Sequence, residues 1–337
     1  MLTKNLKNKN ILITGADGFI GSHLTEALFK FNCNLRVMTM YNSFNTWGWL
    51  DTIDKKVLKN IEVISGDIRD KKFVNNACKN IDYIFHLASL IAIPHSYNSP
   101  YAYLETNALG TLNLVESSLE NNIKKIIHTS TSEVYGESSK IPINESELIK
   151  AKSPYSAMKI AADQIAYSYF STYNLPVTIL RPFNTFGPRQ SCRAIIPTII
   201  TQLLNTKNKI KLGSLYPTRD FLYVTDTVDG FIKSLLSEKN IGEIINIGSG
   251  YEISIGNLVQ MIQKIMKTKF LVTSDKDRIR PKPGEVFRLK ADIKKAKKLL
   301  NWKPKYTGKD GLQKSLLITI KWFKDNKHLY KDDLYNQ

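Results

Sequence analysis

Cysteine and acidic residues are scarce in this sequence, and long apolar runs are missing. The three cysteines, Cys33, Cys78 and Cys192, are odd in number and too scattered for a disulfide framework or a metal knuckle. Reduced thiols in a cytoplasmic protein, and no metal site, are the expectation. No apolar stretch approaches the roughly 20 residues of a bilayer-spanning helix. The start, Met1-Leu-Thr-Lys-Asn-Leu-Lys-Asn-Lys-Asn, lacks the apolar core of a secretory signal. Neither membrane insertion nor secretion is therefore expected. Aspartate and glutamate number 30 against 48 lysines and arginines, leaving a net charge of +18. A basic field attracts phosphate, but the lysines are dispersed among asparagines and isoleucines. Their densest cluster, over 292–300, reads as an amphipathic helix with one solvated face. No nucleic-acid partner is expected, and the basic surface suits a small anionic ligand.

The rest of the composition is ordinary. At 337 residues, 42% apolar and 23% charged, the chain can form one large α/β domain with an appended lobe. Short β-branched runs over 10–14, 35–39, 61–65, 83–87, 126–130 and 177–181 predict strands. Long helical patterns over 101–121 and 154–173 separate the later ones. Such alternation predicts a Rossmann-type doubly wound parallel sheet, covered on both faces. Beyond Arg181 the rhythm changes at a turn-rich stretch, Pro182-Phe-Asn-Thr-Phe-Gly187-Pro188-Arg189. Helices are predicted near 195–204, 225–237 and 254–267. The division expected is 1–182 for the sheet domain and 183–337 mainly for a smaller α/β substrate lobe, with a segment near 219–246 returning to the main domain.

Gly15-Ala-Asp17-Gly18-Phe19-Ile20-Gly21 follows the first strand and opens a helix. Glycine is needed where backbone turns tightly and approaches a pyrophosphate, whose charge then sits at the helix N-terminus. The strand–turn–helix setting makes this a dinucleotide site. The second strand of such a fold ordinarily ends in an acid that meets the adenosine ribose. Here Arg36-Val-Met-Thr-Met-Tyr-Asn42-Ser43 has none, which leaves NAD against NADP open; Arg36, Asn42 and Ser43 could favour an extra phosphate. Asp67 and Ile68, after the third strand, and Leu87 and Ala88, after the fourth, complete the expected cofactor wall.

Tyr155 and Lys159 stand one helical turn apart, on one face of the helix opened by Ser153-Pro154. A lysine charge about 4 Å from the phenol, at an effective dielectric near 20, favours the phenolate by roughly 4 kcal/mol. That is about three pKa units, enough to bring a phenol of pKa near 10 close to neutrality. Ser130-Thr131-Ser132-Glu133 adds hydroxyls and a carboxylate at a strand end. A redox site that also holds a general base can remove a proton from carbon and expel water.

Over nearly the whole chain these residues resemble the extended short-chain dehydrogenase/reductase family. The likeness is carried by Gly15–Gly21, Gly66-Asp67, His86-Leu-Ala88, Asn107, the Thr131 region, Tyr155/Lys159 and Arg181-Pro-Phe-Asn184. It implies that Tyr155 takes the proton of a sugar hydroxyl as hydride leaves for nicotinamide. It further implies that Thr131 binds the same oxygen, that Lys159 also holds the nicotinamide ribose, and that Asn107 makes a structural hydrogen bond near the site. Within the family, sugar 4-epimerases resemble Ser-Ser-Ala-Ala-Val-Tyr-Gly at this strand end, whereas nucleotide-sugar 4,6-dehydratases carry an acid where Glu133 stands. Oxidation at C4 acidifies the C5 hydrogen, Glu133 can remove it, and water leaves C6 with help from Ser132 or protonated Glu133. Nucleotide-sugar decarboxylases resemble Thr-Ser-Glu-Val-Tyr-Gly too, but their helix opens Tyr-Asp-Glu-Gly-Lys where this chain has Tyr-Ser-Ala-Met-Lys.

Asn184, Arg193, Arg219, Arg280 and Glu285 are the substrate-binding candidates. The likeness places Arg219-Asp-Phe and Arg280-Pro-Lys-Pro-Gly-Glu285 near a nucleotide, and arginine suits a diphosphate through paired, charge-assisted hydrogen bonds. The loop over 42–51 and the stretch over 187–197 are similar to those of 4,6-dehydratases acting on nucleotide-linked N-acetylglucosamine in legionaminic-acid-type pathways. Trp47 and Trp49 could cover adenosine, cover substrate, pack between subunits, or simply pack within the buried loop. The expectation is therefore a 4,6-dehydratase of UDP- or GDP-linked N-acetylglucosamine or a related hexose, serving bacterial surface-glycan or nonulosonic acid synthesis. Its cofactor is NAD or NADP, with NAD favoured, tightly bound and regenerated each turnover. The helices over 101–121 and 154–173 are expected to pair across a homodimer. The rivals are a 4-epimerase, then a decarboxylase, and a silent dinucleotide-binding regulator.

Overall fold

A computed structural model describes residues 6–205, 209–275, 278 and 284–330. Six strands of the main sheet come from the residues up to Pro182: β1 (Asn10–Thr14), β2 (Asn34–Met40), β3 (Glu62–Gly66), β4 (Tyr83–His86), β5 (Lys125–Thr129) and β6 (Val177–Pro182). After β7 (Asn184–Phe186), β8 (Lys209–Leu212) and β9 (Thr218–Tyr223) in the second half, β10 (Ile244–Ile247) returns as the seventh. The order is β10-β6-β5-β4-β1-β2-β3, every pair parallel. This is the doubly wound α/β sheet that the strand–helix alternation predicts.

Helices of seven residues or more cover both faces. Their first members are α1 (Phe19–Phe29), α2 (Lys71–Cys78), α3 (Gly110–Glu120) and α4 (Pro154–Tyr173). The second half adds α5 (Ile195–Asn205), α6 (Val224–Leu236), α7 (Ile255–Met266), α8 (Lys294–Leu300) and α9 (Gly308–Asp325). The pleat deals alternate side chains to opposite faces. Ile11 and Ile13 of β1 join a core with Leu24 and Leu28 of α1 and Phe231 of α6. Leu12 joins another with Leu114 of α3 and Ala166 of α4. Burial on both faces is why these strands read as continuous β-branched runs.

Strand and helix ends fall within about two residues of the sequence expectation, with one informative exception. The helix expected over 101–121 widens over Leu104–Leu109 into a π-helical turn. Asn107 sits in that turn, where its Oδ1 accepts the Leu90 N–H at 2.8 Å and its Nδ2 donates to the Leu90 carbonyl at 2.9 Å. This local pull on one buried side chain explains the irregular turn. The resemblance implied such a structural bond, and the geometry shows its partner.

In the second half, β9 is flanked by β7, by β11 (Glu252–Ser254) and by β13 (Arg288–Leu289), while β8 pairs with β12 (Leu271–Ser274). Asp220 on β9 joins these pieces to the end of β10. Its carboxylate accepts the N–H groups of Ser249 at 2.7 Å, Gly250 at 2.9 Å and Ala291 at 3.1 Å. Burial outweighs these bonds and pushes its pKa up from 3.8 to about 6. The folded chain thus holds this proton more tightly than the unfolded chain. Stability from this group is present below about pH 4, is lost as pH rises toward about 6, and is level above that. The span corresponds to about 3 kcal/mol. Urea midpoints across this range should fall with rising pH more steeply in the native protein than in Asp220→Asn. Parallel curves would refute the assignment.

Candidate active site

One cavity of about 940 Å³ opens along the C-terminal ends of the central strands, the place where open parallel sheets bind ligands. Its floor begins at the β1–α1 turn. Gly15 adopts φ +69°, and a Cβ there would lie 2.8 Å from the Ala88 nitrogen, so only glycine lets this turn meet the one after β4. The Thr14 Oγ1 accepts the N–H groups of Leu87 and Ala88, both at 3.1 Å, and shares a hydrogen bond with His86 Nδ1 at 2.9 Å. At Gly18, α1 starts with no side-chain cap and no acid in its first turn. An uncapped helix N-terminus opening into a cavity fits a pyrophosphate.

The catalytic candidates meet on the opposite wall. Thr131, Ser132 and Glu133 follow β5, while Tyr155 and Lys159 lie on the inward face of α4. All five line the cavity and are buried. Ser153 and Ser156 close a capping box ahead of Tyr155, which fixes the start of α4. The Tyr155 ring packs edge-on against Tyr103 at 6.2 Å. Lys159 Nζ donates to the Thr129 carbonyl at 2.5 Å. Its next turn brings Asp163, fully buried, whose Oδ2 accepts Ser130 Oγ at 2.7 Å and Arg181 Nη2 at 3.0 Å. Arg181 also lies 4.9 Å over the Tyr135 ring. Strand end and helix are thus clamped together beneath the reacting groups.

The electrostatics depart from the sequence expectation at one point. Burial pushes the Tyr155 phenol up, and the Glu133 carboxylate adds to the rise; the hydrogen bond with Thr131 opposes it. Burial also pushes Lys159 down to about 8, against the pull of Asp163. The expected three-unit fall of the phenol is therefore not produced by these side chains. The simple Coulomb argument omitted desolvation, which here is the larger effect. Lys159 still carries its charge at neutral pH, and Thr131 still favours the phenolate.

Of the expected cofactor residues, Gly15, Asp17, Gly18, Phe19, Ile20, Gly21, Asp67, Ile68, Leu87 and Ala88 all line the cavity. Asn42 does not. Its amide closes its own loop, donating to the carbonyls of Met40 and Thr46 and accepting the Phe44 N–H. Arg36 is turned away as well, its guanidinium on Glu62 and on the carbonyls of Ala77 and Lys79. Trp49 faces the cavity and packs at 5.8 Å on Trp322 and 5.7 Å on Tyr330, whereas Trp47 is exposed.

Asn184, Arg193, Arg219 and Glu285 line the far half of the same cavity. Arg219 and Glu285 form an ion pair at 3.4 Å. The Asn184 Oδ1 is buried without a hydrogen-bond partner, as a ligand-binding acceptor would be. Arg280 lies outside the described residues. Sequence reasoning missed Arg278, which lines the cavity just before it, and the segment over 89–95, a loop running into the short helix Ile93–Asn98. It also passed over Arg189 as part of a turn. That residue holds φ +68° and bonds Glu26 of α1 at 2.7 Å, bracing the far wall against the helix that follows the glycine turn.

Comparison with known proteins agrees with this geometry. The family model described as GDP-mannose 4,6 dehydratase matches residues 12–315. The human dTDP-D-glucose 4,6-dehydratase is 32% identical over 331 residues, covering 96% of this chain and 92% of that protein. Among solved structures, the dTDP-glucose 4,6-dehydratase of Streptomyces venezuelae with NAD bound superposes with a TM-score of 0.86 at 27% identity, over 96% of this chain and 99% of that one. The UDP-N-acetylglucosamine 4-epimerase of Methanobrevibacter ruminantium gives 0.84 at 32% identity, over 95% and 99%. The chain belongs to the extended short-chain dehydrogenase/reductase family, in its branch of nucleotide-sugar 4,6-dehydratases and epimerases.

Proposed function

We propose that the protein is a 4,6-dehydratase of a UDP- or GDP-linked hexose, with N-acetylglucosamine the favoured sugar, acting through a nicotinamide dinucleotide retained across turnovers. The observation that carries this reading is Glu133, 8% exposed, on the cavity wall beside Thr131 and close enough to Tyr155 to raise its pKa. An oxidation alone has no use for a buried carboxylate at that point; an elimination does.

The glycine turn and the uncapped start of α1 would hold the pyrophosphate, and Lys159 the nicotinamide ribose. When bound, the dinucleotide would supply hydride acceptance from C4 and the return of that hydride to C6 after water has left. The chain's own groups handle the protons. Tyr155 takes the proton of the 4-hydroxyl, with Thr131 holding that oxygen. Glu133 takes the C5 proton made acidic by the C4 ketone, and Ser132 or the newly protonated Glu133 assists the departing C6 hydroxyl. Once water has left, C5 takes a proton from solvent through Glu133, and Tyr155 releases to solvent the proton it took from the 4-hydroxyl, so both groups are restored. Asn184, Arg193 and Arg219, with Arg280 by resemblance, are the proposed contacts to the nucleoside diphosphate.

Exposed Tyr101, Leu104, Leu109, Tyr167 and Tyr173 on the helices near the site support the expected homodimer. Cytoplasmic location and a role in surface-glycan synthesis remain part of the proposal. The likeness to a 4-epimerase favours that activity as the second reading. Incubation with a panel of UDP-, GDP- and dTDP-sugars, followed by mass spectrometry, separates the two. One sugar nucleotide should become lighter by one water. Isomerisation at unchanged mass would establish the epimerase instead.

A further inference from the structure

β2 ends without an acid, yet a carboxylate stands at its end. Asp17 belongs to the glycine turn, and its Oδ2 accepts the Met40 N–H at 3.0 Å. It lines the cavity alongside Met38, Thr39, Met40 and Gly66, where β1, β2 and β3 finish. The surrounding chain fixes it there. The Asp17 carbonyl accepts the Trp49 N–H at 3.0 Å. Gly48, at φ +59°, packs so closely that a Cβ on it would lie 2.8 Å from that same carbonyl oxygen. The loop over 42–52 thus seats itself on the Asp17 backbone, while the Asp17 side chain fastens the end of β2.

We propose that Asp17 takes the place of the missing β2 acid and makes the protein select NAD over NADP. The inference rests on the dinucleotide reading of this cavity. In a Rossmann sheet the ribose 2′ position is read at the end of the second strand, which is where this carboxylate is pinned. A carboxylate has about four acceptor positions. The N–H groups of Met40 and of Asp17 itself occupy part of that capacity, leaving room for a ribose hydroxyl. A 2′-phosphate would instead bring nearly two negative charges against it. Among the described residues lining this end of the cavity, the cation is Arg69, and it is already committed. It binds Asp67 at 2.6 Å and Glu105 at 3.3 Å. Arg36, the other basic candidate, faces elsewhere.

Asp17→Asn separates charge from architecture, since a carboxamide oxygen still accepts the Met40 N–H. Binding of NAD and of NADP to the purified full chain, stripped of nucleotide, is followed by tryptophan fluorescence. The native protein should bind NAD the more tightly. The variant should narrow the NAD-to-NADP ratio by roughly tenfold, the scale of one partly solvated charge repulsion, mainly through tighter NADP binding. If Asp17→Asn does not fold, Asp17→Ser, whose hydroxyl also accepts an N–H, gives the same readout. An unchanged ratio in the folded variant, or equal affinities in the native protein, overturns the role of Asp17. Failure of the native protein to bind either dinucleotide overturns the cofactor reading itself.

Discussion

Tyr155→Phe should stop the reaction at its first step. Turnover is expected to fall by roughly 10²–10⁴-fold, and adding the sugar nucleotide should produce no absorbance of reduced nicotinamide. The 4-hydroxyl cannot become a ketone unless its proton has somewhere to go. The only phenol among the described cavity-lining residues is Tyr155, which hydrogen-bonds Thr131 and stands one helical turn from Lys159. The substitution removes one oxygen and leaves the ring against Tyr103, so folding and cofactor binding should persist. A variant that still reduces its cofactor on substrate addition would show that another group is the base.

Glu133→Gln should divide the reaction. In the proposed mechanism oxidation at C4 uses Tyr155 and Thr131, which the change leaves in place, so reduced cofactor should form and accumulate. Elimination should fall by roughly 10²–10⁴-fold, because glutamine cannot accept the C5 proton. The substitution also removes a negative charge that raises the Tyr155 phenol, so the oxidation step should be no slower than in the native protein. Full dehydration by this variant would remove Glu133 from the mechanism.

Much of the fold and of the cavity lining was legible in the amino-acid sequence. The parallel sheet announced itself because its strands are buried on both faces and are therefore apolar throughout. The glycine turn was legible because Gly15 meets Ala88 backbone and tolerates no side chain. Tyr155 and Lys159 declared themselves by helical spacing. What stayed hidden depended on partners far away in sequence. Asn107 widens its helix by bonding Leu90, and Arg219 pairs with Glu285, 66 residues on. Neither choice leaves a local pattern. Asn42 looked like a cofactor ligand by position, but its amide is spent on its own turn. Asp17 was counted among the cofactor residues, whereas its service to β2 follows only from the turn lying across that strand's end. The fall expected at Tyr155 failed because spacing reports a neighbouring charge and says nothing of desolvation.

The central claim is that a buried carboxylate draws the proton from C5. Running the native enzyme on its sugar nucleotide in heavy water tests this directly, with the product read by mass spectrometry and NMR. A product that has lost one water and carries solvent deuterium at C5 is the expected result. A product of unchanged formula that keeps its original C5 hydrogen would contradict it.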